Sequence, residues 1–251
     1  MSRKGGIAMT SLPLRDTKVD IASSSSSSNS SVNSEGSDTK RSVYSICVTG
    51  LDLVNHILIV CLTAFTLYHS LPSASAFNLH VTLCTLGYVL LMSEAILILA
   101  GESILTNFLT HRAKKHLHWI LQVLGVACTV AGVVLIFCKK SVHFRSTHAI
   151  LGITSVSLML FLTLFGYPVF TLRFRNIVRP VLTKFGHNLL GMLCFTIGIA
   201  AQCYGYKKFG SWTSETKNMC IAVAAIIAAL SLRQAFFKGV STIFRGTLWK
   251  N

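Results

Sequence analysis

The sequence predicts an all-α membrane protein, built as a bundle of six transmembrane helices. Its 251 residues are 52% hydrophobic and only 12% charged, whereas a soluble domain usually carries about twice that charged share. The mean hydropathy is +0.60. Six apolar runs follow one another along the chain, and each is close to the roughly 20 residues that cross a bilayer. These three observations argue against an ordinary soluble domain.

The predicted spans cover about residues 43–68, 77–99, 117–138, 147–170, 185–206 and 218–237. Short loops separate them, so successive helices are expected to be antiparallel neighbours in a compact bundle. The first span is interrupted near its start by Asp52, Asn55 and His56, and the second near its end by Glu94. Such polar groups are expected to face the bundle or the membrane interface, because lipid does not solvate them.

Both ends of the chain are predicted to lie outside the membrane domain. Residues 1–42 are polar and low in complexity, so they cannot bury enough apolar surface to fold, and we predict a disordered cytosolic tail. Residues 43–238 are predicted to form the membrane domain and residues 239–251 a short cytosolic tail. No apolar core of about 7–15 residues lies near Met1, so a cleaved signal peptide is not expected.

Basic residues set the predicted orientation of the bundle, because positively charged loops tend to stay in the cytosol. The predicted cytosolic segments hold Arg112, Lys114 and Lys115 after span two, Arg173, Arg175, Arg179 and Lys184 after span four, and Arg233, Lys238, Arg245 and Lys250 near the end. The loop at 69–76 holds no Lys or Arg, so we expect both termini in the cytosol. The formal net charge of +15 then reflects topology, and no nucleic-acid partner is expected.

Four successive spans each begin with a histidine that has a glycine on the same helical face. The spacing is seven residues in two spans and four in the other two, and both offsets return to the same side of an α-helix. The pairs are His80 with Gly87, His118 with Gly125, His148 with Gly152, and His187 with Gly191. We interpret each glycine as room for a flat ligand that the histidine binds. A single histidine at a helix end is more often an interfacial polar residue, but the repetition favours a ligand role.

The predicted topology sorts these histidines into two facing pairs, His80 with His148 near the outer face and His118 with His187 near the cytosolic face. Two imidazoles from facing helices can supply both axial ligands of a haem iron. With a rise of ~1.5 Å per residue, two such haems are expected on the order of 20 Å apart across the membrane. The sequence lacks the Cys-x-x-Cys-His attachment motif, so the haems are predicted to be non-covalent and b-type.

With these histidines, the chain resembles the cytochrome b561 family, six-helix membrane haem proteins that pass electrons from cytosolic ascorbate. The resemblance covers about residues 43–238. Two stretches, Met92-Ser93-Glu94-Ala95 and His118-Trp119-Ile120-Leu121-Gln122, are especially similar to the subgroup of cytochrome b561 domain-containing protein 2. The resemblance implies four central haem-binding helices, the same four histidines as haem ligands, and a homodimer. One departure is Val81, where the family often has proline after the histidine.

The resemblance also implies a transmembrane oxidoreductase. Ascorbate gives one electron at the cytosolic face, and monodehydroascorbate or a ferric chelate takes it on the other side. Ascorbate is an anion at neutral pH, and Arg112, Lys114 and Lys115 just precede His118, where cations can hold such a donor. The alternative is that these bases only set the topology. On the outer side, we predict that Lys140, His143 and Arg145 hold an anionic acceptor.

Two other functions stay open at this point. A di-haem membrane anchor would exchange electrons with a quinone or a partner protein, and ascorbate would not reduce it rapidly. A haem-free transporter would use the histidines to line a polar path, although the spans hold few other ionisable groups. The sequence does not name the acceptor or the membrane, which we expect to be an endomembrane or the plasma membrane. It also leaves open whether Cys138, Cys203 or Cys220 form a disulfide.

Overall fold

The computed structural model describes residues 31–100, 106, 108–171 and 180–248 of the chain. No strand occurs among these residues, and a π-helical segment at Thr85–Met92 joins α2 to α3 in one continuous span. The α-helices are α1 (Ser31–Ser70), α2 (Ala76–Cys84), α3 (Ser93–Ala100), α4 (His111–Lys139), α5 (Thr147–Thr171), α6 (Pro180–Tyr206) and α7 (Ser214–Leu248).

Six stretches within the described ranges are long and apolar enough to cross a membrane. They are Val43–Ser70, Ala76–Leu99, His111–Lys139, Thr147–Gly166, Thr183–Tyr206 and Ser214–Ser241. The predicted all-α class and its six spans are confirmed, and most ends agree within a few residues. Large apolar side chains such as Ile57, Leu124 and Leu164 are exposed on the outside of the helices, as expected where lipid is the solvent. The chain is therefore an integral, multi-pass membrane protein.

The segment with Arg112, Lys114 and Lys115 is helical, although the sequence predicts a loop there. Thr110 is the N-cap of α4, and its side chain accepts a hydrogen bond from the backbone amide of Ala113 at 3.2 Å. This cap satisfies an amide that the helix itself cannot pair, so the helix begins at His111 rather than near residue 117. The three basic residues therefore lie on the first turns of the helix that carries His118.

The helices also extend into both predicted tails. α1 starts at Ser31 and α7 ends at Leu248, so residues 31–42 are helical where composition predicts disorder. Extending an existing helix is far easier than nucleating one, so polar residues can join the ends of a long apolar helix.

The chain divides into two units, Met1–Val43 and Tyr44–Asn251. The second unit contains all the candidate site residues. Residues 1–30, the remainder of the predicted N-terminal tail, lie outside the described residues. So do four of the basic residues used for topology, Arg173, Arg175, Arg179 and Lys250. All eight cysteines lie within the described ranges and are free thiols, including Cys138, Cys203 and Cys220.

The central helices pack as two pairs. α4 packs against α2, the π-helical segment and α3, and α5 packs against α6, which also contacts α7. Between the pairs, the hydroxyl of Tyr88 hydrogen-bonds to Ser155 on α5, and Ser155 donates to the backbone carbonyl of Cys194 on α6 at 3.1 Å. These hydrogen bonds join the two pairs of helices in the middle of the bundle.

Candidate functional site

Two pairs of histidines lie at opposite ends of the bundle. His80 on α2 and His148 on α5 face each other at one end, with ring centroids 6.0 Å apart and ring planes at 85°. His118 on α4 and His187 on α6 lie at the other end, close enough for an electrostatic interaction. The structure thus brings together the residues that the sequence pairs. We call the two regions the His80 end and the His118 end.

The spacing of the rings at the His80 end suits an iron between two imidazoles. An imidazole nitrogen binds a first-row metal at about 2 Å, and the ring centre lies about 1.2 Å behind that nitrogen. Two such ligands on one axis are expected to have ring centres on the order of 6.4 Å apart, close to the observed 6.0 Å. The separation of these two rings is therefore compatible with a metal ion bound between them.

Three of the four candidate ligands have a ring oriented by a backbone carbonyl. The Nδ1 atoms donate from His80 to Gly132 at 2.9 Å, from His148 to Ala201 at 2.8 Å, and from His118 to Ala95 at 2.7 Å. A ring whose Nδ1 carries the proton presents the lone pair of Nε2. The same hydrogen bond fixes the ring orientation and raises the basicity of the ligand, as is usual for metal-binding histidines. These three rings are thus prepared to bind a metal through Nε2.

A cavity of about 330 Å³ opens beside His80 and His148. Sites for small molecules in proteins are of this size or larger. Most of its walls are apolar, and the exposed bases Lys140, Arg145 and Lys208 line it where the loops approach. The cavity therefore combines an apolar interior, which suits a porphyrin ring, with positive charge at its edge.

The loop after α4 brings the predicted acceptor residues to this cavity. The ring of His143 stacks on Phe137, with centroids 3.9 Å apart and planes at 13°. The next residue, Phe144, has a φ of 55°, in the left-handed region that a bulky side chain rarely adopts. Such strain persists where the surroundings hold it, and it is frequent at functional sites. Lys140, His143 and Arg145 all line the same cavity.

α4 and the span formed by α2, the π-helical segment and α3 touch at three levels. His80 contacts Gly132, Gly87 lies against Gly125, and Ala95 contacts His118. Along α4 both steps are seven residues, nearly two turns, so the three contacts share one face. Along the partner span the first step is seven residues and the second is eight. The extra residue falls in the π-helical segment, where a wider turn absorbs it and keeps Ala95 facing α4.

The structure corrects the interpretation of Gly87 and Gly125 as room for a ligand. A Cβ atom added to Gly87 would overlap with Thr129 Oγ1 and lie 2.8 Å from the carbonyl oxygen of Gly125. These two glycines therefore allow two membrane helices to approach closely. Gly152 and Gly191 differ, because a Cβ atom on either meets nothing within 4 Å. The two glycines with four-residue spacing thus have open space at the Cβ position, and Gly152 also lines the cavity beside His80 and His148.

Small residues also lie against the histidines in the α5–α6 pair. An added Cβ on Gly205 would lie 3.2 Å from Cε1 of His148, and one on Gly166 would lie 3.0 Å from Cε1 of His187. The sequence reasoning missed these glycines and the three backbone carbonyls that accept hydrogen bonds from the histidine rings. The sequence did carry a signal for two of these carbonyls. Gly132 follows His118 by fourteen residues, and Ala201 follows His187 by the same number. Fourteen residues are nearly four helical turns, so each small residue lies on the same helical face as the histidine before it.

The three bases at the start of α4 are not equivalent. Lys114 precedes His118 by four residues and therefore shares its face, and Lys115 precedes it by three. Arg112 precedes it by six residues and lies further round the helix. Lys114 is half-buried, whereas Arg112 and Lys115 are exposed. Of the three, Lys114 is the best placed to approach a group bound at His118.

The chain is similar to proteins of a known family. Residues 79–212, more than half of the chain, match the family model of eukaryotic cytochrome b561. The chain belongs to this family. The matched range includes all four candidate ligands, and the family is one of b-type haem proteins. The resemblance seen in the sequence is therefore confirmed.

Curated relatives include the transmembrane reductase CYB561D2 of Homo sapiens, 28% identical over 123 residues that cover 47% of this chain and 55% of that protein. The probable transmembrane reductase CYB561D1 of Mus musculus is 30% identical over 107 residues, 41% of this chain and 47% of that protein. The lysosomal membrane ascorbate-dependent ferrireductase CYB561A3 of Mus musculus is 31% identical over 126 residues, which cover 46% of this chain and 51% of that protein. The chain thus spans about half the length of these relatives. No solved structure matches the chain.

Proposed function

We propose that this protein carries electrons across a membrane, from cytosolic ascorbate to an acceptor on the other side, through two b-type haems. The observation that carries the proposal is the pair of histidine sites at opposite ends of one apolar bundle, with three rings held by backbone carbonyls. Transfer across a bilayer requires a redox site near each face. The names of the relatives, which are transmembrane reductases, support the same class of reaction.

In this proposal, His80 and His148 hold one haem and His118 and His187 hold the other. A bound haem supplies a one-electron carrier, which no side chain provides. The chain supplies the axial nitrogens and holds three of their rings in the tautomer that exposes Nε2. Most walls of the cavity at the His80 end are apolar, which would give a haem held there surroundings of low polarity.

The His118 end is the proposed donor end, and it faces the cytosol together with both termini. Ascorbate is an anion at neutral pH, and Arg112, Lys114 and Lys115 place positive charge on the first turns of α4. Lys114 contacts the anion in this proposal, while Arg112 and Lys115 raise its local concentration. The relative named as an ascorbate-dependent ferrireductase supports this choice of donor.

Replacing Lys114 with glutamine is expected to raise the ascorbate concentration for half-maximal reduction roughly tenfold, because a hydrogen bond to a charged group contributes about 1.5–3 kcal/mol. The haem spectrum should stay unchanged. Lys115→Gln is the matched control, since Lys115 is more exposed, and its effect should be smaller. Stopped-flow reduction at several ascorbate concentrations measures both, and equal effects would argue against a special role for Lys114.

The His80 end is the proposed acceptor end. Monodehydroascorbate and ferric chelates such as ferric citrate are anions, and Lys140, His143 and Arg145 line the cavity there. Lys208 adds a fourth basic group that the sequence reasoning did not select. Because these groups come from the loops that follow α4 and α6, an anion bound among them would lie beside the haem held by His80 and His148.

Replacing Gly152 with alanine is expected to lower haem occupancy at the His80 end alone. Gly152 lines the cavity, and a Cβ atom there meets no protein atom within 4 Å, so the chain itself has room for alanine. A porphyrin ring in the cavity would meet the added methyl group. Gly50→Ala, on the exposed face of α1, is the control. Haem per chain measures the effect, and full occupancy in the Gly152 variant would show that this glycine does not face the haem.

The protein acts as a homodimer in an endomembrane or the plasma membrane, with residues 43–238 as its membrane domain. These parts of the proposal rest on the family resemblance. Cross-linking of the detergent-free protein in nanodiscs tests the dimer.

The decisive experiment is an absorption spectrum of the purified protein before and after addition of ascorbate, with haem quantified per chain. Two b-type haems that ascorbate reduces within seconds are the expected result. Two haems that stay oxidised would favour a di-haem anchor fed by a quinone or a partner protein. Folded protein without haem would refute the proposal in favour of a transporter.

A further inference from the structure

Three polar side chains of α1 are buried inside the bundle. Asp52, Asn55 and His56 are 3%, 0% and 6% exposed. Each contacts a side chain of another helix, so polar contacts attach α1 to the bundle. Burying ionisable groups in a membrane protein is costly, and such groups usually have a function.

The contacts of Asp52 and Asn55 are made with α7. Arg233 donates to Asp52 Oδ1 at 3.1 Å, and Gln234 donates to the same carboxylate. Asn55 donates from Nδ2 to the hydroxyl of Ser231 at 2.9 Å. None of the four candidate haem ligands lies on α7, so these contacts are explained by the docking of α7 against α1.

The contact of His56 leads towards a candidate haem ligand. Its Nδ1 lies 2.8 Å from Oε2 and 2.9 Å from Oε1 of Glu94, the second residue of α3. The next residue is Ala95, which is fully buried and whose carbonyl oxygen accepts the hydrogen bond from His118. A single peptide bond therefore separates Glu94 from the residue that orients His118.

We propose that His56 and Glu94 are positioning residues for the redox centre at His118. The pair attaches α3 to α1 next to Ala95. It thereby holds the Ala95 carbonyl in place, and this carbonyl accepts the hydrogen bond that orients the His118 ring. It also places charge close to the centre, in surroundings of low polarity where charge acts strongly. Hydrogen bonding to the ligand and nearby charge both tune the reduction potential of a haem. The inference rests on the proposed function, since it requires an iron bound at His118.

The His80 end has no equivalent of this pair beside its orienting carbonyls. Gly132 is flanked in the sequence by Ala131 and Val133, and Ala201 by Ala200 and Gln202, none of which carries charge. The pair therefore gives the two centres different surroundings. Its effect is expected at the His118 centre and not at the His80 centre.

Glu94→Gln tests the proposal in the full-length protein with both haems bound, in nanodiscs. Removing a negative charge favours the reduced iron, so a redox titration is expected to show a higher midpoint potential for the His118 centre alone. The low-spin electron paramagnetic resonance signal of that centre should shift as well, because the ring is held less firmly. Asp52→Asn is the matched control. It removes a charge one helical turn away on α1 that does not contact α3, and both signals should stay near wild type.

A shift in Glu94→Gln no larger than that in Asp52→Asn would overturn the proposal, because it would indicate a general effect of net charge. If Glu94→Gln does not fold, His56→Gln is measured instead, and it must shift the signals of the His118 centre alone. Loss of folding in both variants, with Asp52→Asn folded, would also overturn the proposal and assign the pair a structural role. Wild-type protein without haem at His118 would instead refute the proposed function.

Discussion

Replacing His118 with alanine is expected to remove one of the two haems and to stop rapid reduction by ascorbate. The haem content should fall from about two per chain to about one, because His187 would be left as the single axial ligand of a non-covalent haem. Reduction by ascorbate should slow by more than about 100-fold, which is the upper range for losing a supporting residue alone. The pyridine haemochrome assay and stopped-flow absorption measure the two effects.

The control for this variant is His116→Ala. His116 is exposed and lies two residues from His118, on another face of α4, so its replacement should leave haem content and reduction rate unchanged. Rapid reduction by ascorbate in His118→Ala would contradict the assignment of this histidine to the donor end.

His148→Ala separates the two ends. It should also lower the haem content to about one per chain, yet ascorbate should still reduce the remaining haem, since the donor end is intact. Transfer to a ferric chelate added on the opposite side of a proteoliposome should stop. If His148→Ala, rather than His118→Ala, abolished reduction by ascorbate, the proposed orientation of the bundle would be reversed.

Apolar length and composition were enough to predict the six spans, because the bilayer imposes one simple requirement on each helix. The start of α4 was not predicted, since it depends on a side-chain cap from Thr110 rather than on hydrophobicity. Likewise, the helical residues 31–42 have a polar composition and join α1 through the continuity of its backbone. Hydropathy therefore locates the membrane-crossing part of a helix better than its ends.

The four histidines were singled out by their spacing to glycine, but the interpretation of that spacing as room for a ligand was wrong for Gly87 and Gly125. The seven-residue step to Gly87 and Gly125 reflects the period at which α4 and its partner span touch. The contact period could not be predicted from either helix alone, because Gly87 and its partner Gly125 are 38 residues apart in the sequence. No residue type in the π-helical segment marks the extra residue. It is revealed by the contacts on both sides of the segment, His80 with Gly132 and Ala95 with His118.

Contacts between distant residues were the least predictable part of the site. The sequence marked Asp52 and His56 as polar groups that face the bundle or the membrane interface, and both are buried in the bundle. It did not indicate that His56 and Glu94 contact each other, because either could have met water, lipid headgroups or another helix. The partners of the histidine rings are backbone carbonyls, which every residue carries, so residue types cannot identify them.

Replacing Gly87 with alanine is expected to destabilise the protein by about 3 kcal/mol, the upper part of the range for overpacking. The new methyl group would meet the Gly125 carbonyl at 2.8 Å as well as Thr129 Oγ1, and a backbone atom cannot turn away as a side chain can. α4 would have to move from its partner span, and the hydrogen bonds of His80 and His118 cross that same interface. Haem occupancy should therefore fall at both ends, unlike in Gly152→Ala.

The control for Gly87→Ala is Gly50→Ala, where the added atom meets nothing within 4 Å and alanine is the better helix former by about 1 kcal/mol. Adding Thr129→Ala to Gly87→Ala removes the hydroxyl but leaves the Gly125 carbonyl in place, so the double variant should recover only part of the loss. Thermal unfolding and haem per chain measure all three variants. Full recovery would show that the hydroxyl alone limits the approach of the helices, and a stable Gly87→Ala would show that this interface tolerates separation. Partial recovery, with haem still lost from both ends, is the result expected if one close helix contact holds both redox sites in register.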